Sequence, residues 1–486
     1  MYSEKIKNIQ LKIELRILIA IIVFLGITKN LYAQPDRQWS VSFNTEASML
    51  SGAVVGGNSD ITSLYFNPAG ISEIEDQKLV LNANLFKFDY ESYNGYMGDE
   101  TESQDYGFRV QPRFVSYTMR SKKAKKLSFQ IAVFNRNYDN KSIYAQTQIP
   151  SNFYENKNEN TIKNYDYKSE YSDYWGGIGT SYQITDKFTV GLSLLGSTKS
   201  FNYDKNLFVI IYSNPNGDEG PHEYSYKLES YERIIMYDVR LLAKIGLKYT
   251  TGNWSFGTNI TLPSVHVLGN ADVKRKIEYL ENPGNGSSVH TGFRNEFAQY
   301  RTAQFKDPFS ISLGSVFYSK NKKFQYYFTT EFFKGQDTYF VIDGKNTNED
   351  VSEYPAGTNF SSYKYGTKDI INFAVGYKHI LSDNFDLILG AKTDFNAYSV
   401  SNEGEFENIN EIDEVPTNLY YFTLGSNFNY KRASFIFGVE TSYGYVKDAE
   451  SLMKINGFDE YLVIKNNTMD YMIISLGIFL GFTINF

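Results

Sequence analysis

The chain contains no cysteine, which excludes disulfides, thiolate metal sites, a cysteine nucleophile and the lipid-accepting cysteine of a lipoprotein. Histidine is nearly as scarce: His222, His266, His290 and His379 are the full set, with no His-Glu-x-x-His helix and no phosphate-binding Gly-Lys-Ser/Thr loop. No catalytic residues, metal ligands or cofactor are therefore expected, and the chain does not read as an enzyme. Beyond residue 33 there is no apolar run of helix length, so any membrane crossing there has to be made by strands. The formal charge of −7 offers no basic footprint for nucleic acid.

One apolar run does exist, at the start. Lys5, Lys7, Lys12 and Arg16 precede Ile17 to Ile27, and a polar stretch closes at Leu31-Tyr32-Ala33. This is the layout of a cleaved secretory signal, and residues 1–33 are assigned to it, with the cut after Ala33 or a residue or two away. Removing them takes five cations (Lys5, Lys7, Lys12, Arg16, Lys29) and two anions (Glu4, Glu14), leaving a formal charge of −10.

Aromatic residues, in contrast, are abundant. They make up 17% of the chain, with 41 Tyr and 37 Phe, although the mean hydropathy is only −0.39. A transmembrane β-barrel combines those two properties, because rings gather in girdles at both interfaces while lumen-facing positions stay polar. The last segment has the matching pattern. Met472, Ile474, Leu476, Ile478, Leu480, Phe482, Ile484 and Phe486 alternate with positions that include Ser475, Gly477, Gly481, Thr483 and Asn485. A final strand closing on Phe486 fits recognition by barrel-assembly machinery. The alternation recurs at Phe435–Val439, Tyr420–Leu424, Phe385–Ala391, Ile371–Tyr377, Phe324–Phe328, Phe309–Leu313, Trp254–Ile260, Tyr237–Leu247 and Phe188–Leu194, and near 170–184, 127–138, 110–120 and 79–90.

These segments give an all-β fold, a 14-stranded antiparallel transmembrane barrel over residues 79–486 in the outer membrane of a Gram-negative bacterium. Six short connections (121–126, 185–186, 251–252, 320–322, 382–383 and 431) alternate with seven long polar ones (91–109, 139–169, 204–231, 268–304, 341–368, 399–417 and 446–469). That asymmetry puts both termini on the periplasmic side. Acidic stretches in the long loops, such as Gly98 to Glu102 and Asp343 to Asn346, lack the ligand spacing of a calcium loop and read as solvated surface.

Residues 34–78 read differently. Ala47 to Gly57, then Asp60, then Tyr65-Phe66-Asn67-Pro68-Ala69-Gly70 are small, glycine-rich and mixed in pattern, which suits a compact plug, or hatch, inside a lumen. Asn67 before Pro68 marks a turn or helix start, with Pro68 at the first helical position. This segment, followed by a 14-stranded barrel, resembles the FadL-type transporters of long-chain fatty acids and their relatives that carry aromatic hydrocarbons. The match spans the mature architecture and is concentrated in residues 51–71 and the last strand.

The resemblance implies that Asn67, Pro68, Ala69 and Gly70 are hatch residues, that a hydrophobic small molecule is the passively moved substrate, and that it leaves sideways through the wall. The long loops at 204–231 and 268–304 are largely polar and charged, unlike the apolar capture groove the resemblance implies. The large polar loops at 139–169 and 268–304 would suit a second role, a barrel that binds a protein partner and serves a secretion system.

Strand parity places Asp238, Arg240, Leu242, Lys244 and Lys248 inside, with Lys378, Lys392, Asp394, Glu331 and Glu440 from other strands. Arg240 or Lys244 either meets a substrate carboxylate or pairs with Asp238, Glu331 or hatch carboxylates to hold the plug. Phe479 and Ile473 are also read as inward, giving the lumen an apolar component and completing the candidate ligand-binding set.

Overall fold

The computed structural model describes residues 37–39, 43, 46–57, 62–74, 78–95, 102–120, 124, 126–151, 159–213, 223–282, 288–344, 360–406, 409–411, 415, 417–430, 433–450 and 468–485. The secretory segment 1–33 and Phe486 lie outside them, as does the side chain of Phe479. Among the described residues no helix is long and apolar enough to cross a membrane.

Among the described residues, nineteen strands follow a short N-terminal segment of helical turns. They are β1 (Lys78–Asn94), β2 (Glu102–Arg120), β3 (Leu127–Ser151), β4 (Glu159–Gln183), β5 (Phe188–Ser213), β6 (Glu223–Thr251), β7 (Trp254–Thr261), β8 (Val265–Glu281), β9 (His290–Arg301) and β10 (Ser310–Tyr318). Then come β11 (Phe324–Phe333), β12 (Gln336–Ile342), β13 (Tyr363–Thr367), β14 (Ile370–Ser382), β15 (Phe385–Asp394), β16 (Asn410–Glu411), β17 (Leu419–Tyr430), β18 (Ala433–Glu450) and β19 (Thr468–Asn485). One large antiparallel sheet holds sixteen of them, and β12, β13 and β16 form a small separate sheet.

In the large sheet β1 pairs with β2 on one side and with β19 on the other, and β6 pairs with both β5 and β7. The pairings run β1-β2-β3-β4-β5-β6-β7-β10-β11-β14-β15-β17-β18-β19 and return to β1. β8 and β9 stand outside this circuit, as a hairpin on the N-terminal half of β6.

The sheet is polar on its inner face and apolar on its outer one, the reverse of a water-soluble fold. On β6, Asp238, Arg240, Leu242, Lys244 and Lys248 are buried, whereas Ile235, Tyr237, Leu241, Ile245 and Tyr249 are exposed. Twelve residue steps from Tyr237 to Tyr249 span about 40 Å along a strand and about 30 Å across a bilayer at a tilt near 40°. The exposed apolar stretch, closed by Tyr237 and Tyr249, is thus as tall as a bilayer core is thick.

Beyond that band the polarity inverts. Along β5 the outward residues change from Leu192 and Leu194 to Thr198, Asn202 and Asn206, while the inward ones change from Ser193 and Ser197 to Phe201, Tyr203, Leu207 and Val209. The strands therefore continue well past the apolar band, and β5 and β6 stay paired from Phe188–Tyr249 to Ser213–Glu223.

This corrects the reading of 139–169, 204–231 and 268–304 as loops: most of their residues lie in β3 to β6 and in the β8–β9 hairpin. A search for an apolar outward face fails in these stretches because their apolar face points inward, onto a core of Tyr165, Tyr167, Phe201, Tyr203, Ile234 and Met236. The small sheet packs on the same core through Tyr339, Val341, Tyr363 and Tyr365. Buried Lys364 ties it to the following segment, donating to the carbonyls of Ser401 (3.1 Å) and Phe406 (3.0 Å) and pairing with Glu411 at 3.4 Å.

Candidate functional site

The N-terminal segment is built from short pieces: single helical turns at Glu46–Met49 and Ser63–Phe66, and a 3-10 turn at Pro68–Glu73. Asn67 caps that last turn, its side-chain oxygen accepting from the Ala69 amide at 3.1 Å, and Pro68 occupies the first position, where a missing N–H costs nothing. The Asn67 amide nitrogen donates to Val55 O at 2.8 Å and to Leu247 O on β6 at 3.1 Å. Asn67 thus fixes the segment to itself and to the sheet.

Glycines on the strands make this close approach possible. A Cβ on Gly191, Gly246 or Gly257 would overlap Pro68, Asn67 or Val55, and one on Gly314 would overlap Gly56. Gly179 faces Ile71, Gly376 faces Leu50, Gly390 faces Ser51, and Gly425 and Gly438 face Met49. Nine strands, β4, β5, β6, β7, β10, β14, β15, β17 and β18, each present a glycine to the segment, and β11 instead offers the Thr329 hydroxyl to the Val55 amide at 3.3 Å. At Gly191, Gly257 and Gly314 the backbone of the segment lies directly against the strand, and at Gly179, Gly425 and Gly438 the missing Cβ makes room for the side chains of Ile71 and Met49.

Polar contacts lock the same surfaces. Ser255 donates to Gly56 O (2.5 Å), Ser193 to Leu64 O (2.8 Å) and Thr423 to Met49 O (2.7 Å). Lys378 holds Glu46 at 2.9 Å and Asp386 at 3.1 Å, and Lys248 pairs with Glu73. Further upstream, the Trp39 ring nitrogen donates to Glu331 (2.7 Å), Lys392 donates to Trp39 O (2.8 Å), and the Trp39 amide donates to Asp394 (3.1 Å). The inward residues Lys248, Lys378, Lys392, Asp394 and Glu331 are therefore contacts of the N-terminal segment, and Glu440 lies half-buried on the inner face.

A charged layer lies above the segment. Arg240 is fully enclosed, with ion-pair distances of 3.1 Å to Asp173, 3.2 Å to Asp238 and 2.6 Å to Asp307, and it donates to Ser197 at 2.7 Å. Three carboxylates surround this guanidinium, so of the two roles left open for it the structure supports pairing within the protein rather than capture of a substrate head group. Lys244 differs. Its ammonium donates to Thr261 at 3.0 Å and lies 4.4 Å from the centre of the Tyr65 ring. Ile473 packs against the upper apolar core, far along the chain from the N-terminal contacts.

Sequence reading missed the end of the β2–β3 ladder beside this layer. β3 pairs with β4 from Leu127–Tyr182 to Ser151–Glu159, but with β2 only from Arg120–Ser128 to Phe114–Phe134. Where the β2–β3 ladder stops, β3 carries a bulge between Asn135 and Asn137. The extra residue, Arg136, is re-aimed into the interior, where it meets Asp173 at 3.3 Å, donates to the Gln38 side chain at 3.0 Å and lies over the Trp175 ring.

Next to the end of the ladder, Phe43, Tyr65, Phe114, Phe134 and Trp175 form a buried aromatic cluster, with ring centres 5.0 Å apart for Phe43–Phe134 and 5.7 Å for Tyr65–Trp175. Edge-on packing dominates, a geometry that accepts a further ring. Alternation alone does not reveal a bulge, and the sign that sequence offers nearby is Pro112 within β2, which cannot donate to a ladder.

No protein-family model matches the sequence, and no curated protein resembles it significantly. Solved structures do share its architecture. The P. putida toluene transporter TodX superposes with a TM-score of 0.56 at 14% identity, over 93% of this chain and 99% of that one. The Ralstonia pickettii toluene transporter TbuX gives 0.50 at 12% identity, over 90% and 97%. The CymD monoaromatic hydrocarbon channel gives 0.50 at 10% identity, over 92% and 97%. The chain has the fold of the FadL-type hydrocarbon channels, the group that the N-terminal segment and the last strand resemble in sequence.

Proposed function

We propose that the mature chain is a 14-stranded transmembrane β-barrel of a Gram-negative outer membrane, in which residues 34–78 form a hatch and residues 79–486 the wall, after removal of the signal at 1–33. It conducts small hydrophobic compounds passively and releases them sideways. The reading draws support from the inverted polarity of the sheet, from the glycine seats under the N-terminal segment, and from the hydrocarbon channels that share the fold.

One observation carries it: the aromatic cluster of Phe43, Tyr65, Phe114, Phe134 and Trp175 lies where the β2–β3 ladder stops. An apolar solute held there leaves through the break into lipid without crossing water, which would cost about 0.8 kcal/mol per exposed CH₂. The seated hatch directs it that way, since ten neighbouring strands contact the hatch around the inner face. The alternative, a barrel serving protein secretion, has no comparison in its favour.

Excision of Arg136 tests the route. Without the extra residue β3 can resume its ladder with β2, whereas Arg136→Gln keeps the bulge. In cells lacking other carriers, uptake of radiolabelled toluene and palmitate is expected to fall at least tenfold in the deletion and to stay above half in the glutamine variant. Undiminished uptake by a correctly assembled deletion variant would refute lateral release.

A further inference from the structure

The small sheet of β12, β13 and β16 packs on the upper core and so stands between the outside and the charged layer. Along β12 it is tied to the connection after β9. Ala303 bridges Ile342, the Gln304 amide donates to Val341 O at 2.9 Å, and the Lys306 amide donates to the Tyr339 hydroxyl at 3.1 Å. A second attachment is made by Phe360 and Ser361, which stand in a turn just before β13.

The buried Phe360 ring lies against two guanidiniums. The central carbons of Arg275 on β8 and Arg294 on β9 are 4.3 and 4.2 Å from its centre. Arg275 also donates to Phe360 O at 3.3 Å, and the Ser361 hydroxyl donates to Glu296.

This cradle is built by β6, β8 and β9 and does not depend on the ring it holds. Glu232 of β6 pairs with Arg275 at 2.7 Å, and Glu296 of β9 pairs with Arg294 at 3.7 Å. Each cation keeps its carboxylate when the ring leaves, so two positive charges stand against two negative ones. A guanidinium is attracted by the electrons on an aromatic face, which an alkane lacks. A solute bearing a carboxylate would have to displace Glu232 or Glu296, whereas an uncharged ring displaces neither. Phe360 thus occupies a place that fits a neutral arene.

We propose that Phe360 is a built-in stand-in for substrate: the cradle of Arg275 and Arg294 is an entry site for uncharged monoaromatic solutes, and an arene that takes the place of Phe360 frees the small sheet from the wall. The proposal rests on the transport reading for the passage of a solute. One ring replaces another, so the cradle regains the contacts it loses. Because the arene binds only when Phe360 is out, it shifts the sheet toward the open state.

The chain has no cysteine, so one introduced thiol reports on this latch. Ser362 is fully buried two residues from Phe360. Full-length Ser362→Cys protein in mild detergent is treated with a maleimide. Saturating toluene is expected to speed labelling by about tenfold, and methylcyclohexane, of similar size and without a π face, by less than about twofold. Adding Phe360→Leu keeps the apolar bulk and removes the competing ring. Labelling without solute should then be faster, and toluene should act at a concentration about threefold lower, a shift that simple loosening of the fold does not produce. Adding Arg294→Gln should abolish the response to toluene.

No acceleration by toluene in the correctly assembled reporter protein, or equal acceleration by methylcyclohexane, overturns the proposal. Toluene uptake by the parent is measured separately. Uptake without a labelling response sinks the latch alone, and a labelling response without uptake upholds the latch and sinks the transport reading.

Discussion

Arg240 shows how a buried charge is tolerated inside this sheet. Its guanidinium faces Asp173, Asp238 and Asp307, and Asp238 is further held by His266 at 2.8 Å and by the Phe305 amide at 3.1 Å. Removing the cation would strand three carboxylates away from water, a change that typically costs about 3–5 kcal/mol for a buried pair. Arg240→Met is therefore expected to lower stability by about that amount, read from urea unfolding in detergent. A variant of wild-type stability that has lost uptake of acidic solutes alone would instead make Arg240 a substrate anchor. Strand parity was enough to place Arg240 and Lys244 inside. It could not choose between their two roles, because Asp173 and Asp307 come from segments whose proximity only the fold supplies.

At the level of elements, the glycine seats and the N-terminal segment define each other. Glycine weakens a strand, yet nine strands carry one where the segment approaches. Gly257→Val would push a branched side chain into the Val55 carbonyl and the Asn67 amide. The expected result is a hatch lifted from its seat and a barrel that leaks, measured as a rise in single-channel conductance in planar bilayers and in sensitivity to large antibiotics. A variant as tight as the parent would show that the segment does not seal the lumen.

The Asn67-Pro68 turn was legible, since both residues state their geometry in sequence. The seats were written there too, as glycines at inward positions of successive strands, but their meaning depends on knowing which segment faces them. The bulge at Arg136 left no mark in the alternation of hydrophobicity. The strands of the upper wall read as loops in sequence because their apolar face points inward and their outward face is polar.

For the whole molecule, polarity inverts once along the same strands. Within the apolar band the inside is polar and holds a charged layer and the hatch contacts. Above it the inside is apolar and the outside carries polar residues. One ladder, β5 on β6, runs through both regimes, so the upper wall continues the lower one as paired strands rather than loops. On the proposed route an apolar solute passes the upper core and the charged layer to reach the aromatic cluster where the β2–β3 ladder stops.

The most direct test is a high-resolution map of the protein purified from its native outer membrane in mild detergent. The account predicts apolar density against Phe114, Phe134 and Trp175, continuous with the opening between β2 and β3 and above a hatch still seated on its glycines. A lumen with no density at that cluster, an unbroken β2–β3 wall, and a second protein bound at the extracellular end would contradict it.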